Sequence, residues 1–324
     1  MKAMIRISLL LVIVLVSLSA YLRLAHSGIG CADWPACYGR IGEPPAVSQP
    51  ISSENAYRRI VAEASQPLAW ATPLHRLVAS VLGLLIVFLV MLAFKLKKNR
   101  LISLALLGIT VWLALLGLKS GSLHSPAVVM GNLSGGFAML GLLGWMLFRD
   151  NDRENDPLNR GKQTPLTTAV PVIAVTLLIT QILTGGLTSA NFAATSCQTL
   201  PDCHGNWLPG PEIFTAMDLS RDHQVTSMGQ AIGGNERMDI HIAHRLGAVV
   251  TLLVVLVTGF TALRAGSRYR VAAIVVMLLV AVEFSIGVAA ILSDLPIGLA
   301  VAHNWIAALL LLAILKIMAL HQTT

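Results

Sequence analysis

Four of the nine histidines stand where a histidine is energetically unfavourable. His75, His241, His244 and His303 fall inside long apolar runs, near one end of each. An ionisable side chain in such surroundings marks a functional site by default. The plainer alternative is a helix-end imidazole that hydrogen-bonds a backbone carbonyl. Placement favours the functional reading. His244 opens one apolar run and His303 lies two turns into another. Neutral imidazoles on two facing helices of a bundle can bind a haem iron from both sides. His75 holds the place of His244 earlier in the chain, but the position that answers His303 there is Asn132, within Met130-Gly131-Asn132-Leu133. Asparagine is a poor iron ligand. Ligand count therefore predicts a closed bis-histidine site on His244 and His303, suited to electron transfer. It predicts a one-histidine or open site on His75, suited to chemistry on a substrate or oxygen.

Other residues surround this set. Arg76 and Arg245 directly follow His75 and His244. A guanidinium there either pairs with a haem propionate, which is a carboxylate, or snorkels to the membrane interface. Glu283 lies mid-run, where a carboxylate either relays protons or bonds a neighbouring helix. The glycine-rich stretch 131–136 lies inside an apolar run, so it reads as close helix packing rather than a phosphate loop. His26, His124 and His204 sit near run ends or in loops; His223 and His321 read as solvated. No Walker motif, zinc signature or Ser/His/Asp pattern is present.

These side chains need helices to carry them, and the composition says which kind. Of 324 residues 55% are hydrophobic and 12% charged, against about 25% charged in a soluble domain. A span needs about 20 apolar residues, and eight runs qualify: 5–25, 73–94, 101–119, 126–148, 167–190, 241–263, 271–292 and 297–319. The third and seventh runs, which lack histidine, read mainly as packing. The first run is too long for the apolar core of a typical signal peptide and reads as a retained helix.

The net charge of +7 is a topology signal. Lys2 and Arg6, Lys95 to Arg100, Arg149 to Lys162, Arg264 to Arg270 and Lys316 all fall on one side of eight spans. That positive-inside pattern puts both termini in the cytoplasm and argues against a nucleic-acid partner.

The chain repeats itself. Cys31 and Cys37 enclose five residues, with Pro35 inside and Gly39 beyond; Cys197 and Cys203 do the same with Pro201 and Gly205. Each pair lies in a long outer loop, 26–72 or 191–240, followed by a run opening on His-Arg; the last run of each half follows a proline, Pro126 or Pro296. Two parallel four-helix halves about an axis along the membrane normal are the expected arrangement. The expected parts are an N-terminal half 1–150, a cytoplasmic linker 151–162 and a C-terminal half 163–324. An oxidising outer compartment permits disulfides, predicting Cys31–Cys37 and Cys197–Cys203. Spacing alone does not fix that connectivity, and a metal site with two cysteines per loop is the alternative.

At these residues the chain resembles the haem A synthase family, over nearly its whole length. The most specific pieces are Gly30-Cys31-Ala-Asp-Trp-Pro35-Ala-Cys37-Tyr-Gly39, Cys197-Gln-Thr-Leu-Pro201-Asp-Cys203-His-Gly205, Ile240-His241-Ile-Ala-His244-Arg245-Leu-Gly247-Ala248 and Ala300-Val-Ala-His303-Asn304. The resemblance implies an all-α membrane protein of eight transmembrane helices in two pseudo-symmetric four-helix bundles, with a disulfide in each of the first and third outer loops. It implies haem b ligated by His244 and His303. It implies that the N-terminal half receives haem O on His75 and oxidises a methyl group, by successive hydroxylation, to the formyl group of haem A for cytochrome oxidase. It further implies a bacterial-type inner membrane, with haem O synthase and oxidase assembly proteins as partners. The sequence departs from the family twice. Asn132 stands for a second ligand histidine of the N-terminal half, and Thr72 for a glutamate three residues before His75.

Two other functions compete with the synthase. One is a catalytically degenerate haem-binding relative acting in oxidase assembly or regulation, motivated by Asn132 and Thr72. The other is a membrane cytochrome b that oxidises quinol. A transporter fits less well, because the polar residues gather near one face rather than at the midplane.

Overall fold

The computed structural model describes residues 1–26, 71–118, 126–155, 165–221 and 234–322. Eight of its helices are long and apolar enough to cross a membrane. They are α1 Lys2–His26, α2 Ala71–Lys95, α3 Arg100–Leu118, α4 Pro126–Asn155, α5 Pro165–Ala190, α6 Asn235–Ala265, α7 Ser267–Leu292 and α8 Ile297–Gln322. Each coincides with one expected run. Among the described residues there is no β-strand; one short helix, Ile213–Met217, stands between α5 and α6.

Helix ends depart from the apolar runs where polar groups can extend them. The helix α6 begins at Asn235, ahead of the expected 241. The Glu236 carboxylate accepts from the Gly234 N–H at 2.8 Å, and an acidic group in a first turn also suits the helix dipole. At the far end of α4, buried Asp150 lies 3.2 Å from Lys98 Nζ. This pins the α2–α3 turn, in which Lys97 and Asn99 take positive φ. Pro126 and Pro165 each open a helix, where a missing N–H is harmless. One residue, Gly266, joins α6 to α7 at φ +134°. Only glycine adopts that conformation without strain.

The helices pack in two rings. In the first half α1 touches α2 and α4, and α3 touches α2 and α4; in the second α5 touches α6 and α8, and α7 touches α6 and α8. Thus α2 and α4 stand diagonally in one ring, as α6 and α8 do in the other. The rings meet where α4 and α1 pack on α8 and α4 packs on α5. Small residues permit the close approaches, as is usual between helices in lipid. Gly141 and Gly144 of α4 lie against Leu311, Leu312 and Leu315 of α8, and Gly186 of α5 lies against Leu133 and Met130. Within the 131–136 stretch, Gly131 and Gly135 receive Leu116, Trp112 and Leu113 of α3, so the packing reading holds. On the outside, Leu10, Leu77, Leu84, Leu253 and Val271 are well exposed, as an apolar belt facing lipid requires.

One expectation is corrected. His321 is not solvated but buried in the last turn of α8. Its Nδ1 lies 2.9 Å from Ile317 O, and its ring centroid is 4.7 Å from that of Tyr269. The helix continues past 319, which carries the imidazole inward.

Candidate functional site

The rings of His244 on α6 and His303 on α8 come together across the diagonal of the second ring. Their centroids are 6.4 Å apart and their planes nearly perpendicular, at 88°. The two helices between which they project, α5 and α7, hold them by the same device: a polar residue and, four residues on, a glycine. Residues four apart share a helix face. On α5 these are Gln181 and Gly185, and on α7 Glu283 and Gly287.

On the His244 side, Nδ1 lies 2.9 Å from the Gln181 amide nitrogen and 3.2 Å from Thr184 Oγ1. The Gln181 amide also donates to His244 O at 2.8 Å. A Cβ on Gly185 would stand 2.9 Å from His244 Cε1, so any larger residue would displace the ring. On the His303 side, Nδ1 lies 3.3 Å from Glu283 Oε1, and a Cβ on Gly287 would stand 3.3 Å from His303 Cε1. Glu283 thus faces His303 on a neighbouring helix, and α7 contributes to the surroundings of the pair as well as to packing.

His244 Nδ1 lies between Gln181 and Thr184, and His303 Nδ1 faces the Glu283 carboxylate without a hydrogen bond, so in both rings Nε2 is the nitrogen left for a ligand. For Nε2 to bond a metal, Nδ1 must carry the proton and donate it; Thr184 Oγ1 at 3.2 Å can accept from His244 when the Gln181 N–H donates to His244 O instead, and Glu283 Oε1 lies 3.3 Å from His303 Nδ1. The spacing suits one metal held from opposite sides. Two metal–nitrogen bonds of about 2 Å, plus roughly 1 Å from each nitrogen to its ring centre, put opposed axial imidazoles about 6 Å apart. Among the described residues no cluster of three or more His, Cys, Asp or Glu side chains could complete a metal site. Two imidazoles alone would suit a metal that brings its other donors with it, as the iron of a porphyrin does.

The disulfide loop stands beside this pair. Cys197 and Cys203 are bonded, with Cα atoms 5.0 Å apart; the predicted Cys31–Cys37 pair lies outside the described residues. The loop closes through mutual Cys203 and Asn206 backbone hydrogen bonds of 2.9 and 3.0 Å, and Gly205 there takes φ +89°. Arg245 grips it from α6, with Nη1 donating to Thr199 O at 2.7 Å and Asp202 O at 3.1 Å and Nη2 to Cys197 O. His241, one turn earlier, is buried, with Nδ1 3.0 Å from Ala193 O. Both side chains therefore anchor the segment after α5. The Arg245→Ala variant loses three carbonyl contacts of a charged donor, worth about 2 kcal/mol together at a half-exposed site. It should make the 197–205 loop cleavable by protease under conditions where the parent protein resists.

The first half is barer. His75 and Thr72 are half-buried in the first turns of α2, Arg76 beside them is exposed, and Asn132 on α4 is half-buried. They hold diagonal helices, as His244 and His303 do. His124 and His223 lie outside the described residues, as does the side chain of His26.

Several contributors were not anticipated from sequence. Gln181, Thr184, Gly185 and Gly287 sit in ordinary-looking apolar runs; only the four-residue spacing of polar residue and glycine marks them. Arg23 of α1 reaches across to the second half, where Nη2 donates to Asn304 Oδ1 at 3.4 Å, next to His303.

The eight spans and the paired imidazoles define a polytopic membrane protein with a two-histidine site inside its second helix ring. Comparison with known proteins places it further. The chain matches the family model COX15-CtaA, cytochrome oxidase assembly protein, over residues 2–315. It is 31% identical to the Heme A synthase of Shewanella oneidensis, over 97% of this chain and 94% of that protein. It is 26% identical to the Heme A synthase of Nitrosospira multiformis, over 94% and 88% of the two chains. With the Heme A synthase of Rhizorhabdus wittichii it shares 24% identity, over 94% and 89%. The chain belongs to the COX15-CtaA family of cytochrome oxidase assembly proteins.

Proposed function

We propose that this protein is a haem A synthase, an oxidoreductase that converts a methyl group of haem O into the formyl group of haem A for cytochrome oxidase. The observation that carries the reading is the His244–His303 pair. Two imidazoles 6.4 Å apart, each with Nδ1 beside a polar group and Cε1 close to a glycine, would hold one haem iron between them, in a chain whose relatives along its length are named Heme A synthase.

Haem b bound there supplies one-electron transfer. The protein's part is to fix both imidazoles, keep the Nδ1 protons off the metal side and keep water out with the packed faces of α5 to α8. His241 and Arg245 hold the disulfide loop beside the site. In the N-terminal half, residues 1–150, His75 is the iron ligand for haem O as substrate, and Arg76 at the exposed rim meets its propionates. Asn132 and Thr72 stand where the family pattern has a histidine and a glutamate, so α4 would offer no second imidazole to the substrate iron. Methyl to formyl removes four electrons from one carbon, which would leave singly through the haem b half to an electron acceptor outside the chain. Residues 163–324 form the haem b half and 151–162 the linker. Both termini face the cytoplasm of a bacterial-type inner membrane, as the basic segments require, and haem O synthase and oxidase assembly proteins are the partners.

Introduced into a cell that makes haem O but lacks its own synthase, the protein should restore the absorption of a haem A-containing oxidase. A folded, membrane-inserted protein that leaves the cell with haem O alone contradicts the reading and favours a relative acting in oxidase assembly without synthesis, as Asn132 and Thr72 would then signify.

A further inference from the structure

The two imidazoles of the C-terminal site are held by unlike groups. His244 faces a neutral hydroxyl and a neutral amide, whereas His303 faces a carboxylate, Glu283. Glu283 lies within a membrane span, on α7. Its Oε2 is buried without a hydrogen-bond partner. Among the described residues no lysine or arginine pairs with it, and the one basic group within reach is the His303 ring. A carboxylate in apolar surroundings is strongly disfavoured unless a positive charge compensates it. Gly287, one turn along the same face, leaves room for the His303 ring beside that carboxylate, a Cβ there standing 3.3 Å from His303 Cε1.

We propose that Glu283 sets the reduction potential of the haem held by His244 and His303. The proposal rests on the haem b reading of that site. Glu283 Oε1 lies 3.3 Å from His303 Nδ1, and an Nδ1–H directed at it when Nε2 binds iron would make the imidazole a stronger donor through Nε2. Ferric iron with two neutral imidazoles and a porphyrin dianion carries one net positive charge, and one-electron reduction removes it. A carboxylate at the ligand's back therefore stabilises the oxidised state and lowers the potential. Second-shell hydrogen bonding is one of the means by which a protein tunes haem. The neutral partners of His244 make no comparable contribution, so the tuning enters from the α7 side alone. Glu283 is thus a positioning and tuning residue, acting through His303.

The test is a redox titration of purified, haem-containing protein, with the ferric spectrum recorded alongside, for the parent, Glu283→Gln, Glu283→Asp and Thr184→Val. Glu283→Gln should keep a six-coordinate haem. Poised at the parent's midpoint, its ratio of reduced to oxidised haem should rise about tenfold, equivalent to about 59 mV for one electron. Glu283→Asp should return most of that shift, and Thr184→Val should move the ratio far less. A Glu283→Gln protein with full haem and an unchanged midpoint overturns the proposal. Should the glutamine variant purify without haem, the aspartate variant decides. Haem at the parent's potential supports the proposal; haem at a raised potential, or none, overturns it. A parent protein that retains no haem overturns the site reading itself, a result distinct from an unchanged midpoint.

Discussion

The His244→Ala and His303→Ala variants should each purify without the haem of the C-terminal half. The two rings approach to 6.4 Å between centroids, with their planes nearly perpendicular, and among the described residues no third side chain is placed to complete a metal site. Removing an outer-shell partner of a metal ligand costs roughly 10- to 100-fold in affinity. Removing a ligand itself exceeds that, and a cavity on the face of a glycine offers nothing in its place. The measurement is haem per polypeptide, from the pyridine haemochrome spectrum of purified protein. His241→Ala is the control. Its ring is turned to Ala193 O, so that variant should keep its haem while loosening the outer loop. Pigment that survives both ligand substitutions would mean that the site is elsewhere.

The second large effect is expected at His75. With Asn132 on the diagonal helix, His75 is, among the described residues of the N-terminal half, the imidazole that would hold substrate iron in the proposed reading. His75→Ala should abolish haem A formation, a drop of more than about 100-fold in product by the same ligand argument. It should leave the C-terminal haem at parental content, because the two sites lie in different helix rings. Product separated from extracted haems reads the first quantity and the haemochrome spectrum the second. Unchanged haem A in this variant would move the substrate out of the α2–α4 diagonal. Loss of both haems together would tie the two halves more tightly than their separate rings suggest.

How far these features can be read from sequence differs from one to the next. The eight spans are legible because the bilayer imposes one length on every crossing, and each apolar run became a helix. The pair His244 and His303 is legible because an imidazole in an apolar run is unusual enough to stand out. The Cys197–Cys203 bond follows from a repeated motif in an outer loop, and its partner pair in the first half lies outside the described residues. The support of the site was hidden. Gln181 and Gly185 look like any polar residue and small residue of a span, and their meaning appears only when α5 is set against α6. Arg245 reads as a propionate partner by adjacency to His244, yet consecutive helical residues point about 100° apart, and its guanidinium reaches the carbonyls of the disulfide loop. Glu283 was ambiguous for the same reason: a carboxylate's role depends on what faces it, and only the packing of α7 on α8 put His303 there. His321 differs from its reading as solvated because α8 runs on to Gln322, past the end of the apolar run, which hydropathy alone does not show.

One measurement tests the central claim most directly: extraction of the haems from purified protein after co-expression with a haem O synthase, and their separation into haems B, O and A. The synthase reading predicts haem B together with haem A, or with its hydroxylated intermediate, in the same preparation. Haem B alone, at one per chain, with haem O present in the membranes from which the protein came, would contradict it. The second helix ring would then be the only live cofactor site.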